Sequence, residues 1–302
     1  MTNAHGPSDL GWKKWIIGSR PRTLPAAFVP VGVGAACAMS VEAPQWWRAS
    51  LALVVSVALQ IGVNYANDYS DGIRGTDNDR VGPLRLVGSG VATPSAVKRA
   101  AFLCFGVAAI AGLVLALVTT LWLIAVGVAA IVAAWTYTGG PRPYGYAGLG
   151  EVFVFLFFGV IATMGTEFVV AEQVTATGAI ASIAVGAIAC ALLVINNLRD
   201  IPGDTEAGKR TLAVKMGDIA TRKFFALLIA IAFAAVVATS FTAGPFAMLG
   251  LVGVVSLRPA IESVARGTKG RDLIAVLAVV GKGQMILGVT YTIGLLLALS
   301  SL

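Results

Sequence analysis

The chain has 302 residues, of which 57% are hydrophobic and 12% charged, with a formal net charge of +7. A soluble domain carries about 25% charged residues, and at a mean hydropathy of +0.85 this chain holds more apolar surface than a water-exposed core can bury. Composition therefore excludes a disordered chain, a disulfide scaffold and a soluble α/β enzyme, and it points to an integral membrane protein.

A polar tail over 1–14 opens the chain and contains the single histidine, His5. A membrane-spanning helix needs about 17–25 mostly apolar residues. Stretches of that kind lie at 24–40, 49–65, 100–118, 121–137, 152–170, 178–195, 224–240, 246–264 and 282–302. The prediction is an all-α integral membrane protein, one domain over 1–302, with nine transmembrane helices. Polar segments at 66–99 and 200–222 are expected to form caps at one end of the bundle, parts of 72–94 and 201–217 closing over it as a lid. The eighth stretch carries Arg258 and Glu262, which places its last turns at the interface. The segment 272–280 is too short to span and reads as interfacial or re-entrant; the alternative is one long tilted helix that takes Lys282 to membrane depth. No cleavable signal peptide is expected, because the first apolar run is one of many and lacks a cleavage site. Cys37, Cys104 and Cys190 sit far apart in apolar runs and read as small buried hydrophobes.

Nine spans with the N-terminus inside put every one of the 22 Lys and Arg residues except Arg48 on inside segments. That bias predicts a multi-pass protein of the bacterial cytoplasmic membrane, N-terminus in and C-terminus out. The positive charge thus reflects topology, and no nucleic-acid partner is expected. All nine aspartates fall on the same side, which the positive-inside rule does not explain.

Six of the aspartates gather in two places. Asn64, Asn67, Asp68, Asp71, Asp77 and Asp79 lie at the exit of the second span; Asn196, Asn197, Asp200, Asp204 and Glu206 lie at the exit of the sixth. Asn67 and Asp71 are four residues apart, as are Asn196 and Asp200, so each pair stacks on one helix face. Pro202-Gly203 is expected to break the helix between Asp200 and Asp204. Facing carboxylates with amide oxygens form a hard-oxygen site for Mg²⁺, an ion that keeps waters and shares phosphate oxygens with a substrate. Arg22, Arg142, Arg199, Lys209 and Arg210 stand beside them and suit the remaining charge of a diphosphate. Asp79, Asp218 and Asp272 read as solvated loop charges.

These clusters resemble the aspartate motifs, NDxxDxxxD and DxxxD, of the UbiA superfamily of intramembrane aromatic prenyltransferases. Asn67-Asp68-Tyr-Ser-Asp71 matches the start of the first and Asp200-Ile-Pro-Gly-Asp204 the second. The first departs at its end, where Gly75 stands four after Asp71 and the next acid is Asp77. That longer spacing is similar to the branch that prenylates 1,4-dihydroxy-2-naphthoate in menaquinone synthesis. So are Arg20-Pro-Arg22-Thr-Leu-Pro25, Arg80-Val-Gly-Pro83-Leu-Arg85 and Tyr144-Gly-Tyr146-Ala-Gly-Leu-Gly150-Glu151.

The resemblance implies a UbiA-type helical bundle, a polyprenyl diphosphate bound through Mg²⁺ with its tail in a lipid-open tunnel, and attack by the naphthoate ring with loss of CO₂. On residues and resemblance together, Asn67, Asp71, Asp77, Asp200 and Asp204 are the candidate metal ligands, and Asp68, Asp71 and Asp200 the candidate catalytic acids. Arg22, Arg142 and Lys209 are assigned to the diphosphate. Asn64, Tyr137, Tyr144 and Glu151 are assigned to the aromatic pocket, Glu151 equally suiting a helix N-terminus. The tyrosines near the span ends, Tyr65, Tyr69 and Tyr146 included, suit either a carbocation or an interfacial belt. Alternatives are another acceptor, 4-hydroxybenzoate or a phosphoribosyl compound, or a cation-coupled transporter; transporters place polar groups at mid-membrane, where this chain has no acids.

Overall fold

The computed structural model describes residues 10–75 and 84–300. Among the described residues every regular element is helical. In chain order these are α1 (Lys13–Ser19), α2 (Pro25–Cys37), α3 (Trp46–Arg74), α4 (Pro94–Val118) and α5 (Leu123–Thr136). Then come α6 (Gly150–Ala171), α7 (Ala176–Glu206), α8 (Leu212–Ala243), α9 (Pro245–Val255), α10 (Arg258–Ala265) and α11 (Leu273–Leu299).

Among the described residues six helices are long and apolar enough to cross a membrane, and up to eight spans result if each bent pair counts as one. The bent pairs are Lys13–Thr23 with Pro25–Ser40, at 55°, and Pro245–Val255 with Arg258–Ala265, at 43°. The fourth expected span is the 14-residue α5, about 21 Å at 1.5 Å per residue.

Two local expectations are corrected. Segment 272–280 is no re-entrant piece; the alternative of one long helix holds, since Leu273–Leu299 is continuous with neither proline nor a polar run to interrupt it, and Lys282 lies on its exposed side. Nor does Pro202 end α7, which runs on to Glu206; proline removes one backbone bond but its fixed φ suits a helix.

α3 has 29 residues and α7 has 31, so at 1.5 Å per residue both measure about 43–47 Å and overshoot an apolar slab of about 30 Å. The aspartates sit in their last turns. α7 is the central post: 72% of its apolar stretch is buried, against 28–39% in the other five long helices. It packs on α8, α6, α2 and α11. At the opposite end Arg48, the one basic residue outside the charge pattern, is buried. It donates to Val118 O (3.0 Å) and Val169 O (3.1 Å), at the C-terminal ends of α4 and α6, and pairs with Glu172 (2.7 Å), as a cation at a helix C-terminus should.

Candidate active site

A cavity of about 1190 Å³ runs between α2, α3, α4, α5, α6, α7 and α11. Its body is apolar, walled by residues such as Leu115, Ile131, Phe157, Ile161 and Leu277. Phe157 and Ile161 belong to a π-helical stretch, Phe155–Ile161, inside α6, a distortion often found at functional sites. Towards the motif-bearing ends of α3 and α7 the lining becomes polar and charged.

One wall of that end is the α3 stripe Gln60, Asn64, Asn67 and Asp71, all lining the cavity because residues three and four apart share a helix face. Gln60 and Asn64 both donate to Thr23 Oγ1, at 3.0 and 2.9 Å, and Asn64 also donates to Ser19 O at 2.9 Å. Asn67 Oδ1 accepts from the Thr138 hydroxyl at 2.7 Å. Asp71 accepts from the Tyr146 hydroxyl, and Lys209 Nζ lies 3.2 Å from the same carboxylate. Both members of that ion pair are buried, and the Lys209 ammonium stands 4.6 Å above the Tyr146 ring. The segments carrying Tyr146 and Lys209 are zipped together by Arg210 N to Tyr146 O (2.9 Å) and Lys215 Nζ to Ala147 O (2.6 Å).

The facing wall is the end of α7. Asn196, Asn197, Arg199 and Asp204 line the cavity; Asn197 and Asp204 are seven residues apart, two helical turns, because the helix continues through Pro202. Asp200 lies off this lining and grips Arg199, at 2.6 Å to Nε and 2.7 Å to Nη2, while Arg199 also donates to Asn196 Oδ1 (2.8 Å). Glu151 is buried behind the wall, where it accepts from Asn197 Nδ2 at 2.9 Å.

The structure thus brings Asn64, Asn67, Asp71, Asp204, Arg22, Lys209, Tyr137 and Tyr144 to one cavity. Asp68, Asp200, Glu151 and Arg142 are not on its lining, and Arg142 is exposed. Asp77 lies outside the described residues. Arg20 and Arg85 line the cavity as well, and the motif reading assigned them no role. Arg20 adopts a left-handed φ of 53° between α1 and a 3₁₀ turn, an uncommon backbone for a residue with a Cβ. The adjoining Pro21 was the available signal. Thr138 carried none, being an uncharged residue in a turn.

Along the aromatic side Tyr144 stacks on Phe153 with ring centroids 4.0 Å apart and donates to Ala133 O at 3.0 Å. Burial pushes its phenol well above the usual tyrosine range, so it stays protonated. Asp71, Asp204 and Asn67 supply hard oxygen donors from opposite walls. Among the described residues no three His, Cys, Asp or Glu side chains are close enough to cage an ion. Such an open donor set fits Mg²⁺, which seldom takes an all-protein cage and completes its shell with water and phosphate oxygens.

A helical membrane bundle with an apolar internal chamber, lined at one end by an acid from each motif, Asp71 and Asp204, and by several Arg and Lys side chains, defines a class of intramembrane enzyme. The chain belongs to the UbiA prenyltransferase family, whose model matches residues 27–280. It is 51% identical over 277 residues to a 1,4-dihydroxy-2-naphthoate octaprenyltransferase of Mycobacterium tuberculosis, covering 90% of this chain and 93% of that one. It is 48% identical to the protein of the same description from Mycobacterium leprae, covering 94% and 97%. Its fold is similar to an apo UbiA homolog from Aeropyrum pernix K1, with TM-score 0.71, 15% identity, and 89% and 97% of the two chains covered. A UbiA homolog from Archaeoglobus fulgidus bound to GPP and Mg²⁺ superposes with TM-score 0.65 at 14% identity, covering 94% and 99%.

Proposed function

We propose that this chain transfers a polyprenyl group from polyprenyl diphosphate to 1,4-dihydroxy-2-naphthoate. The allylic C–O bond breaks with its electron pair leaving on diphosphate, a ring carbon forms the new C–C bond, and the ring carboxylate departs as CO₂, its C–C bonding pair returning to the ring to restore aromaticity. The observation that carries this reading is a cavity, charged at one end and apolar along its body, that is lined by residues of both aspartate motifs, Asn67 and Asp71 from the first and Asp204 from the second. It matches a substrate with an anionic head and a long hydrocarbon tail. The relatives named for this acceptor, at 51% and 48% identity, support the choice of naphthoate.

Arg22, Arg199 and Lys209, with Arg20 and Arg85, would hold the diphosphate, arginine suiting its paired oxygens. Asn67, Asp71 and Asp204 would hold Mg²⁺, which when bound neutralises charge developing on the leaving diphosphate. Until substrate arrives, Lys209 neutralises the buried Asp71 carboxylate. The apolar walls exclude water from the reacting carbon, and the faces of Tyr137, Tyr144 and Tyr146 favour positive charge there.

The test supplies membranes containing the protein with a polyprenyl diphosphate, Mg²⁺ and either 1,4-dihydroxy-2-naphthoate or 4-hydroxybenzoate, and reads product mass. The expected product is prenylated, decarboxylated naphthalenediol; a product from 4-hydroxybenzoate alone overturns the assignment.

The charge pattern further supports an active site on the cytoplasmic face of a bacterial membrane, with nine passes if both bent pairs and the short α5 each cross it. In a background free of other cysteines, a cysteine at Thr120 should label with an impermeant maleimide only from outside the cell, and one at the exposed Ala207 only from inside. The reverse pattern refutes the orientation.

A further inference from the structure

Asp68 stands in the middle of the first aspartate motif yet turns away from the cavity. On α3, Asn64, Asn67 and Asp71 face the chamber, whereas Tyr65, Asp68 and Gly72, at i−3, i and i+4, occupy another face. That face is covered by the segment 84–93. Asp68 is 0% exposed, and its two oxygens accept from the backbone amides of Leu86 (2.8 Å to Oδ2) and Val87 (3.0 Å to Oδ1).

The segment is a compact strap. Ala92 N bonds to Leu86 O at 2.9 Å and Gly90 N to Val87 O at 3.0 Å. Leu86 is fully buried, and a Cβ at Gly18 would lie 2.6 Å from its Cδ1. Val87 sits so close to Gly72 that a Cβ there would approach it to 2.4 Å. Two glycines, one from α1 and one from α3, therefore make room for the strap side chains. The residue next to the pair of gripped amides is Arg85, which lines the charged end of the cavity.

We propose that Asp68 is a positioning residue: its carboxylate clamps the strap at Leu86 and Val87 and so holds Arg85 at the diphosphate end of the cavity. The proposal rests on the reading of that end as the diphosphate site. A carboxylate suits the task because each oxygen takes one N–H in a charge-assisted bond. Asparagine offers one acceptor and sets an NH₂ group against the second amide, leaving a buried donor unpaired.

The purified full-length protein is compared with Asp68→Asn, Arg85→Ala and the double variant. Hydrogen exchange of the strap peptide is read with and without Mg²⁺ plus inorganic pyrophosphate, and steady-state kinetics are run against polyprenyl diphosphate and against Mg²⁺. Asp68→Asn should exchange the strap amides about tenfold faster or more and raise KM for the diphosphate substrate, with the Mg²⁺ concentration for half-maximal rate unchanged. Arg85→Ala should raise KM similarly with normal exchange, and the double variant should be no worse than the worse single one, since both act through one side chain. A shifted Mg²⁺ requirement with normal strap exchange in Asp68→Asn, or additive losses in the double variant, overturns the proposal. If Asp68→Asn does not fold, Leu86→Ala loosens the strap while sparing the acid, and an unchanged KM then counts against it. Should the wild-type protein form no prenylated product, the proposed reaction fails, while exchange and pyrophosphate binding in the variants still decide the strap.

Discussion

Asp71→Ala is expected to lower prenyl transfer by about a thousandfold or more, the scale seen when charge stabilisation at a reacting centre is removed. Asp71 lies where three functions meet. It lines the cavity, it accepts from the Tyr146 hydroxyl, and it balances the buried Lys209 ammonium at 3.2 Å. Alanine removes a hard oxygen donor for Mg²⁺ and leaves Lys209 buried beside no counter-charge, which costs several kcal/mol when one partner of a buried pair is deleted. Asp71→Asn keeps the volume and one acceptor for Lys209 and Tyr146 but not the counter-charge, so it should destabilise the protein less than alanine does and still lose most activity. Product formed per unit time at saturating Mg²⁺ is the measurement. Wild-type turnover in either variant would remove Asp71 from the chemistry. Asp200 should act differently: it holds Arg199 by two bonds from off the cavity lining, so Asp200→Ala should report on the placement of that guanidinium.

The second large effect concerns assembly of the bundle. Gly253 on α9 lies against the backbone of α11, where an added Cβ would stand 2.2 Å from Leu287 Cα and 2.3 Å from its nitrogen. Backbone cannot swing aside as a side-chain tip does, so Gly253→Val must push the two helices apart. Overpacking of this kind costs about 3 kcal/mol, and the loss should spread because Gly250 meets Tyr291 and Gly294 meets Phe246 along the same seam. A fall of several degrees in the thermal unfolding midpoint in detergent is expected. Gly106→Ala serves as the control: nothing lies within 4 Å of its added Cβ, and alanine is the better helix former. Equal midpoints for Gly253→Val and wild type would show that the close approach is not needed.

The apolar runs were legible because a membrane-spanning helix must satisfy its backbone internally and expose only apolar side chains to lipid. Six of the stretches read from the sequence fall on helices long enough to span, the first and eighth fall on bent pairs and the fourth on the short α5. The proline in α7 was the weak point of that reading. A proline signals a break only on average, and here the helix passes through it, which brings Asp204 into line with Asn197.

The candidate site was legible as two clusters but not as individual contacts. Asn67 and Asp68 are adjacent in the chain, yet one faces the cavity and the other a buried strap, because successive residues on a helix point about 100° apart. Glu151 has the residue type expected of a pocket acid and instead braces Asn197 from behind. Arg20 is aimed into the cavity by a left-handed turn, a backbone state that residue type alone does not announce.

By itself, then, the sequence determined the solvent this protein folds in, the positions of its helices and the end of the bundle at which its scarce acids gather, all of which follow from local composition and period. Only the tertiary structure decided which acid of each motif meets the chamber, which one holds backbone, and which cation answers each carboxylate. Those outcomes depend on the rotation of α3 and α7 against their neighbours, and that rotation is set by packing across the bundle, between residues such as Asp71 and Lys209 that lie far apart in the chain.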